Sequence, residues 1–251
     1  MAADRCRHYA ADIEVLVGML AHVAALADRA DHAEVAARAL EMVANQADGE
    51  DGFAVLASLQ RLPALLCYYA AGLGATAAGN WLLLGTIATR PRWYDNQYDW
   101  KLATAVNPTK VFYDADATAQ VLVGANPKQR RYTPVSDYLH DLLRPVLLPL
   151  VDTDERFDEV FDRFEYLAGL IVEHFMLVRG EGDPYILPGS VGRIRWRHQQ
   201  PSLPPQAIWA DQHADELAAA LLPTADDPSA AWDAAKKEYD ELIDTARQDS
   251  W

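Results

Sequence analysis

Cysteine and basic residues are scarce in this sequence. Its two cysteines allow at most one disulfide bond and match no metal-binding spacing. Twenty-two lysines and arginines stand against 37 acidic residues, which gives a net charge of −15 and a pI near 4.7. General binding to nucleic acid is therefore disfavoured, since it needs cations that displace counterions from phosphates. The sequence also contains neither a G-x-S-x-G nucleophile elbow nor a Walker A phosphate loop.

Alanine is abundant, with 43 among 251 residues, and hydrophobic residues make up 51% of the chain. Alanine loses no side-chain entropy on forming a helix, so this composition predicts a mainly α fold, either a multi-helix bundle or an α-hairpin stack. The excess of 17 arginines over five lysines is typical of a GC-rich bacterial genome. The charged N-terminus is unlike a signal peptide, so we expect a cytoplasmic protein with reduced cysteines.

The longest uncharged stretch is residues 62–89, which contains 28 residues. This length is sufficient for one transmembrane helix. However, the stretch is rich in alanine and glycine, and Gly79-Asn80 is a turn signal. We therefore predict two buried helices, about 62–77 and 81–89, and keep a membrane effector as the alternative.

Helical periodicity is clear in several other segments. It predicts helices at about 5–27, 32–46, 53–60, 114–123, 135–148 and 153–178. Acidic capping boxes, Asp31 with Glu34 and Asp152 with Glu155, are expected to begin two of them. In the helix at 135–148, Pro145 is expected to cause a kink and Pro149 to end the helix.

The C-terminal part is strongly acidic. Residues 201–251 contain eleven acids and three bases, a net charge of −8, on predicted helices at about 208–222 and 228–247. Before them, residues 179–206 are rich in glycine and proline, and a short β-hairpin is expected near 185–198. We predict a helical core domain, residues 1–206, with an acidic helical extension, residues 207–251, packed on it.

The first candidate binding site is the densest basic segment of the chain. Alternation in a strand would place its arginines on one face, where they could bind an anion or an acidic partner segment. The other interpretation is an internal ladder of salt bridges to the acidic C-terminal helices. The spacing R-x-x-x-x-H also matches the motif of HEPN-type helical ribonucleases, which leaves a nuclease as an alternative function. The residues are Arg193, Arg195, Trp196, Arg197 and His198.

The second candidate site is an aromatic segment that we expect to be a polar loop. Aromatic side chains interleaved with bases can bind a partner or stack on nucleobases, but they also fix loops onto a protein core. Its aromatic residues are Trp93, Tyr94, Tyr98 and Trp100.

No metal or cofactor site is expected. Asp137 and His140 have the spacing of half a helical-bundle metal motif, but the sequence has no second copy. His213 lies in an acidic stretch without a ligand spacing, and Glu173-His174 lacks the H-E-x-x-H pattern.

Several short motifs resemble a known class of helical regions. They are Leu62-Pro63-Ala64-Leu65-Leu66, Tyr69-Ala70-Ala71-Gly72, Gly79-Asn80-Trp81 and Phe164-Glu165-Tyr166-Leu167. This pattern, over residues 10–200, resembles the C-terminal helical region of large bacterial conflict or antiphage proteins whose N-terminal modules are sirtuin-like, TIR-like or P-loop domains. The resemblance implies a sensing, regulatory or assembly role and carries over no catalytic residue. We therefore expect a non-enzymatic protein that binds a protein partner or forms a homo-oligomer.

Overall fold

The computed structural model of this protein describes residues 2–46, 54–94, 99–112, 116–124, 133–179 and 204–248. Its helices and strands follow the order α1 Ala2–Leu26, α2 Ala30–Ala44, α3 Ala54–Leu59, α4 Leu62–Ala78, α5 Trp81–Thr89, β1 Arg92–Tyr94, β2 Asp99–Lys101, α6 Leu102–Ala105, α7 Pro108–Val111, α8 Asp116–Leu122, α9 Pro134–Val151, α10 Asp154–Arg179, α11 Pro205–Gln212, α12 Ala214–Leu221 and α13 Pro228–Gln248. The prediction of a mainly α helical bundle is confirmed.

Helix α4 is the centre of the bundle. Nearly all of its side chains are buried, and it contacts α1, α2, α5, α9 and α10. Its glycines permit close approach, because a Cβ on Gly72 would overlap the Phe164 ring and one on Gly74 would lie 2.2 Å from the Ala21 carbonyl oxygen. Small residues in this uncharged stretch therefore let two neighbouring helices pack tightly against α4.

Gly79 and Asn80 make the turn between α4 and α5. Gly79 ends α4 in the left-handed conformation, with φ at 70°, which glycine adopts without strain. The Asn80 side chain accepts a hydrogen bond from the Leu83 amide and donates to the carbonyls of Ala24 and Ala27 at the end of α1. The two predicted helices within 62–89 are thus confirmed, and they form the interior of the described fold.

Helix α10 provides most of the aromatic core. Phe164 packs edge-on against Tyr69 of α4, with ring centroids 4.9 Å apart, and Phe157 and Phe161 continue the same face. The predicted helix at 153–178 matches α10 to within one residue at each end.

Both predicted acidic capping boxes are wrong in detail. Helix α2 begins one residue before Asp31, and its N-cap, Arg29, makes no capping hydrogen bond. At α10 the cap is Thr153, whose hydroxyl accepts a hydrogen bond from the Arg156 amide. Asp152 instead ends α9 with a positive φ of 67°.

The prediction that Pro149 ends a helix is also wrong, because α9 continues through Pro145 and Pro149 to Val151. Both prolines lie on the exposed side of α9. Water can therefore hydrate the carbonyls whose helical hydrogen bonds the prolines remove, which lowers the cost of an internal proline.

Helices α11, α12 and α13 form a C-terminal layer, the name used below for these three helices. It packs on α5 and α10. The Tyr166 hydroxyl donates to Asp240, which also accepts from Lys236 at 2.7 Å, and Lys236 forms a further ion pair with Asp211. The predicted helix at 208–222 is interrupted at His213 and becomes α11 and α12.

One described helix, α1, is long and apolar enough to cross a membrane, a property that core helices of soluble proteins and signal sequences share. It packs along α4.

Candidate functional site: a basic and aromatic hairpin

Strands β1 and β2 form a two-stranded antiparallel hairpin where the sequence predicted a loop. Trp93 lies opposite Trp100, Arg92 opposite Lys101, and Tyr94 opposite Asp99. Because side chains alternate between the faces of a strand, the two tryptophans share one face of the hairpin and the other two pairs share the opposite face. The aromatic residues therefore belong to regular structure.

Side chains of α2 cover the outer edge of β1. The Asn45 side chain donates to the Arg92 carbonyl at 2.8 Å and accepts from the Tyr94 amide at 3.0 Å. Glu41 accepts a hydrogen bond from the Arg92 amide. These contacts replace the hydrogen bonds that a third strand would make, so this edge is closed to strand addition.

Cationic side chains from three other elements of the chain contact the tryptophan face. The Arg61 guanidinium lies 5.0 Å from the centre of the Trp93 ring. Trp100 contacts both Lys110 of α7, at 4.3 Å, and Arg179 at the end of α10, at 4.2 Å. Such cation–π distances are within the range of energetically significant contacts.

The opposite face carries a pair of like charges. Arg92 and Lys101 lie directly across from each other, an arrangement that destabilises a hairpin. Asp99, diagonal to Arg92, contacts the Arg92 guanidinium at 3.4 Å and offsets part of this repulsion. Burial, and then the neighbouring Arg92, lower the pKa of Lys101, whose ammonium group donates to the Thr89 carbonyl.

The hairpin surface, meaning Trp93, Tyr94, Trp100 and these contacting cations, is rich in positively charged side chains. Five cations contribute to it, and the carboxylates of Glu41 and Asp99 also contact the hairpin. The cations are Arg61, Arg92, Lys101, Lys110 and Arg179. Guanidinium, ammonium and aromatic groups in this arrangement can bind carboxylates, phosphates and flat apolar groups.

Part of this surface is accessible. Tyr94 is 55% exposed, and Arg179 is exposed together with its neighbours Leu177 and Val178. Trp93 and Trp100 are half-buried, and Trp93 packs against the core. Trp93 therefore attaches the hairpin to the core, as one of the two sequence interpretations expected, while Tyr94 faces solvent. The binding role of the aromatic segment stays a prediction.

Sequence reasoning identified the aromatic residues but missed most of the cations. Arg61, Lys110 and Arg179 lie in or beside helices outside the hairpin, and Arg61 and Arg179 are also far from it in the chain. Their only local signal is a base at a helix end, which is common in any helical protein.

The other predicted binding residues lie outside the described residues. These are Arg193, Arg195, Trp196, Arg197 and His198, together with Tyr98 and the β-hairpin expected near 185–198.

The histidines considered as metal ligands have other contacts. The ring nitrogens of His140 contact Asp158 at 2.6 Å and Asp141 at 3.2 Å. His213 contacts the Trp209 carbonyl. Within the described ranges, no group of three or more His, Cys, Asp or Glu side chains is arranged to hold a metal ion.

A buried polar cluster in the core was not anticipated. Glu165 of α10 is fully buried and accepts hydrogen bonds from the Ser136 hydroxyl, at 2.8 and 2.9 Å, and from Tyr69 at 3.3 Å. Burial and the neighbouring Glu165 raise the pKa of Tyr69 well above its ordinary value. The sequence signal for the burial of Glu165 was its position between Phe164 and Tyr166, two buried aromatic residues.

Both cysteines are buried and free. Burial raises the pKa of Cys6 to about 11 and that of Cys67 to about 12. Neither thiol therefore forms a reactive thiolate near neutral pH.

Comparison with known proteins gives no relative from which a role could be transferred: no protein family, curated protein or solved structure matches this chain.

Proposed function

We propose that this protein is a non-enzymatic helical interaction protein that binds an acidic, partly apolar segment of a protein partner at the hairpin surface. The observation that carries the proposal is the convergence of five cations on one small hairpin in a chain of net charge −15. The resemblance to helical regions of bacterial conflict proteins, noted above, implies that such a partner would be an effector or sensor of a bacterial defence system.

Arg179 has hydrogen-bonding capacity beyond the contacts that hold the hairpin. A guanidinium carries five N–H donors. In the described structure, Arg179 donates to the Asp99 carbonyl, and its side chain remains exposed. A carboxylate placed near Arg92 and Lys101 would also reduce the repulsion between these two directly opposed cations.

The exposed apolar groups supply the second half of the recognition. Tyr94 offers apolar contact area on the face that carries Arg92, and Leu177 and Val178 offer it next to Arg179 in the chain. Tyrosine and arginine are enriched among the residues that dominate binding energy at interfaces. The ligand that fits this combination is a peptide segment in which acidic and aliphatic residues alternate.

The test uses a fluorescent peptide of alternating glutamate and leucine, with a lysine and leucine peptide as the reversed-charge probe. Fluorescence anisotropy is measured with the wild type, the double variant Arg92→Glu/Arg179→Glu, and the control Arg38→Glu/Lys237→Glu. The control changes two exposed cations on α2 and α13, so both variants alter net charge equally.

We expect the wild type to bind the acidic peptide, more weakly as salt increases, and the hairpin variant to lose at least about tenfold in affinity. The control should lose much less. The proposal fails if the wild type does not bind the acidic peptide, binds the basic one equally well, or if both variants lose affinity alike.

A further inference from the structure

A groove of about 500 Å³ lies between α5 and α12. The turn before α5 and α5 itself form one wall, and α12 with Pro223 forms the other. Ala220, which lines the groove, also makes the close contact between its carbonyl and Gly85, so the two walls are fixed relative to each other. The volume is within the range of small-molecule pockets in proteins, about 300 to 1,000 Å³.

Apolar groups form the larger part of the lining. Leu82 is 54% exposed, and Trp81 is half-buried, with its ring centre 5.7 Å from that of Trp209. Ala219 and Pro223 are exposed on the opposite wall. An apolar ligand in the groove would remove these groups from water, which is a favourable contribution to binding.

Two charged side chains of opposite sign line the same groove. Arg90 lies at the end of α5, and its side chain is 70% exposed. Its contact with Glu34, at 3.6 Å, is longer than a hydrogen bond. Glu216 lies in the first turn of α12, is exposed, and has no ion pair within the described part of the chain. Both charged groups can therefore accept a ligand as a partner.

The other polar side chains of the groove already donate within the fold. The hydroxyls of Thr86 and Thr89 donate to the carbonyls of Leu82 and Gly85. The Asn80 side chain donates to carbonyls at the end of α1. One guanidinium and one carboxylate are thus the groups that would select a ligand.

We propose that this groove binds a small zwitterion with an apolar body, an apolar amino acid or a dipeptide. Its carboxylate contacts Arg90 and its ammonium group contacts Glu216, while its side chains pack on Trp81 and Leu82. A guanidinium can bind a carboxylate through two parallel hydrogen bonds. An anion without an ammonium group would be repelled by Glu216, and a cation without a carboxylate would be repelled by Arg90. The inference goes beyond the proposed function, because none of the hairpin-surface residues lines the groove.

The test is isothermal titration calorimetry of the wild type with free phenylalanine and with the dipeptide phenylalanyl-leucine. We expect saturable binding of at least one of them, and at least about tenfold weaker binding of the same molecule with its amine acetylated and its carboxylate amidated. Binding of the amino acid alone identifies a free amino acid as the ligand, and binding of the dipeptide alone identifies a peptide.

Blocking one end of the ligand at a time assigns a partner to each charge. Acetylation of the amine should weaken binding to the wild type at least about fivefold, and should weaken binding to Glu216→Gln much less. Amidation of the carboxylate should have the same relation to Arg90→Gln. The matched controls Asp215→Asn, beside Glu216 on α12, and Arg38→Gln on α2 are also exposed and lie outside the groove, so they should bind as the wild type does.

A variant that fills the groove tests the location. Ala219 is exposed, so Ala219→Phe should abolish binding without lowering the melting temperature. The inference is overturned if neither zwitterion gives saturable binding, if the doubly blocked molecule binds equally well, or if binding survives in Ala219→Phe. Equal losses in Glu216→Gln and Asp215→Asn would overturn it too. None of these variants changes the hairpin surface, so the results are independent of the proposed function.

Discussion

The hairpin and the C-terminal layer are both attached to the outside of the α4–α10 core, but in different ways. The hairpin is held mainly by polar and cation–π contacts, from Asn45, Glu41 and the cations around its tryptophans. The C-terminal layer is held mainly by close apolar packing. A Cβ on Gly85 would lie 1.9 Å from the Ala220 carbonyl oxygen, and one on Gly169 would overlap the Tyr239 ring.

This difference in attachment explains where the charged side chains of each region lie. The C-terminal layer buries Trp232 and Leu217 and leaves most of its carboxylates in water, where they require no partner. The hairpin attaches through cations as well as through Trp93, and these cations contact both of its faces. Such a group of cations stands out in a chain of net charge −15, and the proposed binding surface is based on it.

Gly85→Ala should have the largest effect, because it changes the packing of the C-terminal layer. The added Cβ meets backbone atoms of α12 that cannot move independently, so we expect a loss of about 3 kcal/mol in the free energy of unfolding. Denaturant titration measures it.

Gly18→Ala adds the same methyl group in open space on α1 and is the control for Gly85→Ala. If both variants are equally stable, close packing is not what holds the C-terminal layer.

Asn45→Ala should have a smaller and more local effect on the hairpin. It removes the hydrogen bonds to Arg92 and Tyr94 and leaves the apolar contacts of the core in place. We therefore expect a loss of about 1 to 2 kcal/mol in the free energy of unfolding. Hydrogen exchange should accelerate at the Tyr94 amide while α4 remains protected. Gln46→Ala, at the exposed neighbouring position, is the control. Accelerated exchange throughout α4 would contradict a separately attached hairpin.

Glu173→Gln should have the smallest effect, and it should stabilise the C-terminal layer. Burial, and then Glu238 of α13, raise the pKa of Glu173 on α10. The folded state therefore disfavours the charged form, a penalty that is present above the raised pKa and absent below the ordinary value of 4.5.

Thermal unfolding across pH measures this effect. The stability advantage of Glu173→Gln should be present at pH 7 and decrease as the pH falls through the raised pKa of Glu173. It should be absent below pH 4.5. The exposed substitution Glu14→Gln is the control. An advantage that grows on acidification would show that Glu173 is not destabilised by its surroundings.

Elements with a strong local signal were predictable from the sequence. The apolar repeat of α10 and the Gly79-Asn80 turn between α4 and α5 depend on residues close together in the chain. Their positions follow from periodicity and from the conformational freedom of glycine.

Features that depend on the environment were not predictable. Whether Pro149 ends α9 depends on which side of the helix faces water. Thr153 rather than Asp152 caps α10, because Asp152 ends α9 with a positive φ and the hydroxyl of Thr153 accepts the hydrogen bond from the Arg156 amide. The burial of Glu165 depends on Ser136 and Tyr69, which come from two other helices.

By itself, the sequence determined the mainly helical class and the two uncharged helices at 62–89, because composition and local spacing control these properties. Only the tertiary structure decided that Trp93 and Trp100 lie side by side and that Arg61, Lys110 and Arg179 surround them. The contacts of Arg61 and Arg179 with the hairpin arise because the packed core brings distant parts of the chain together, and no local pattern in the sequence records that arrangement.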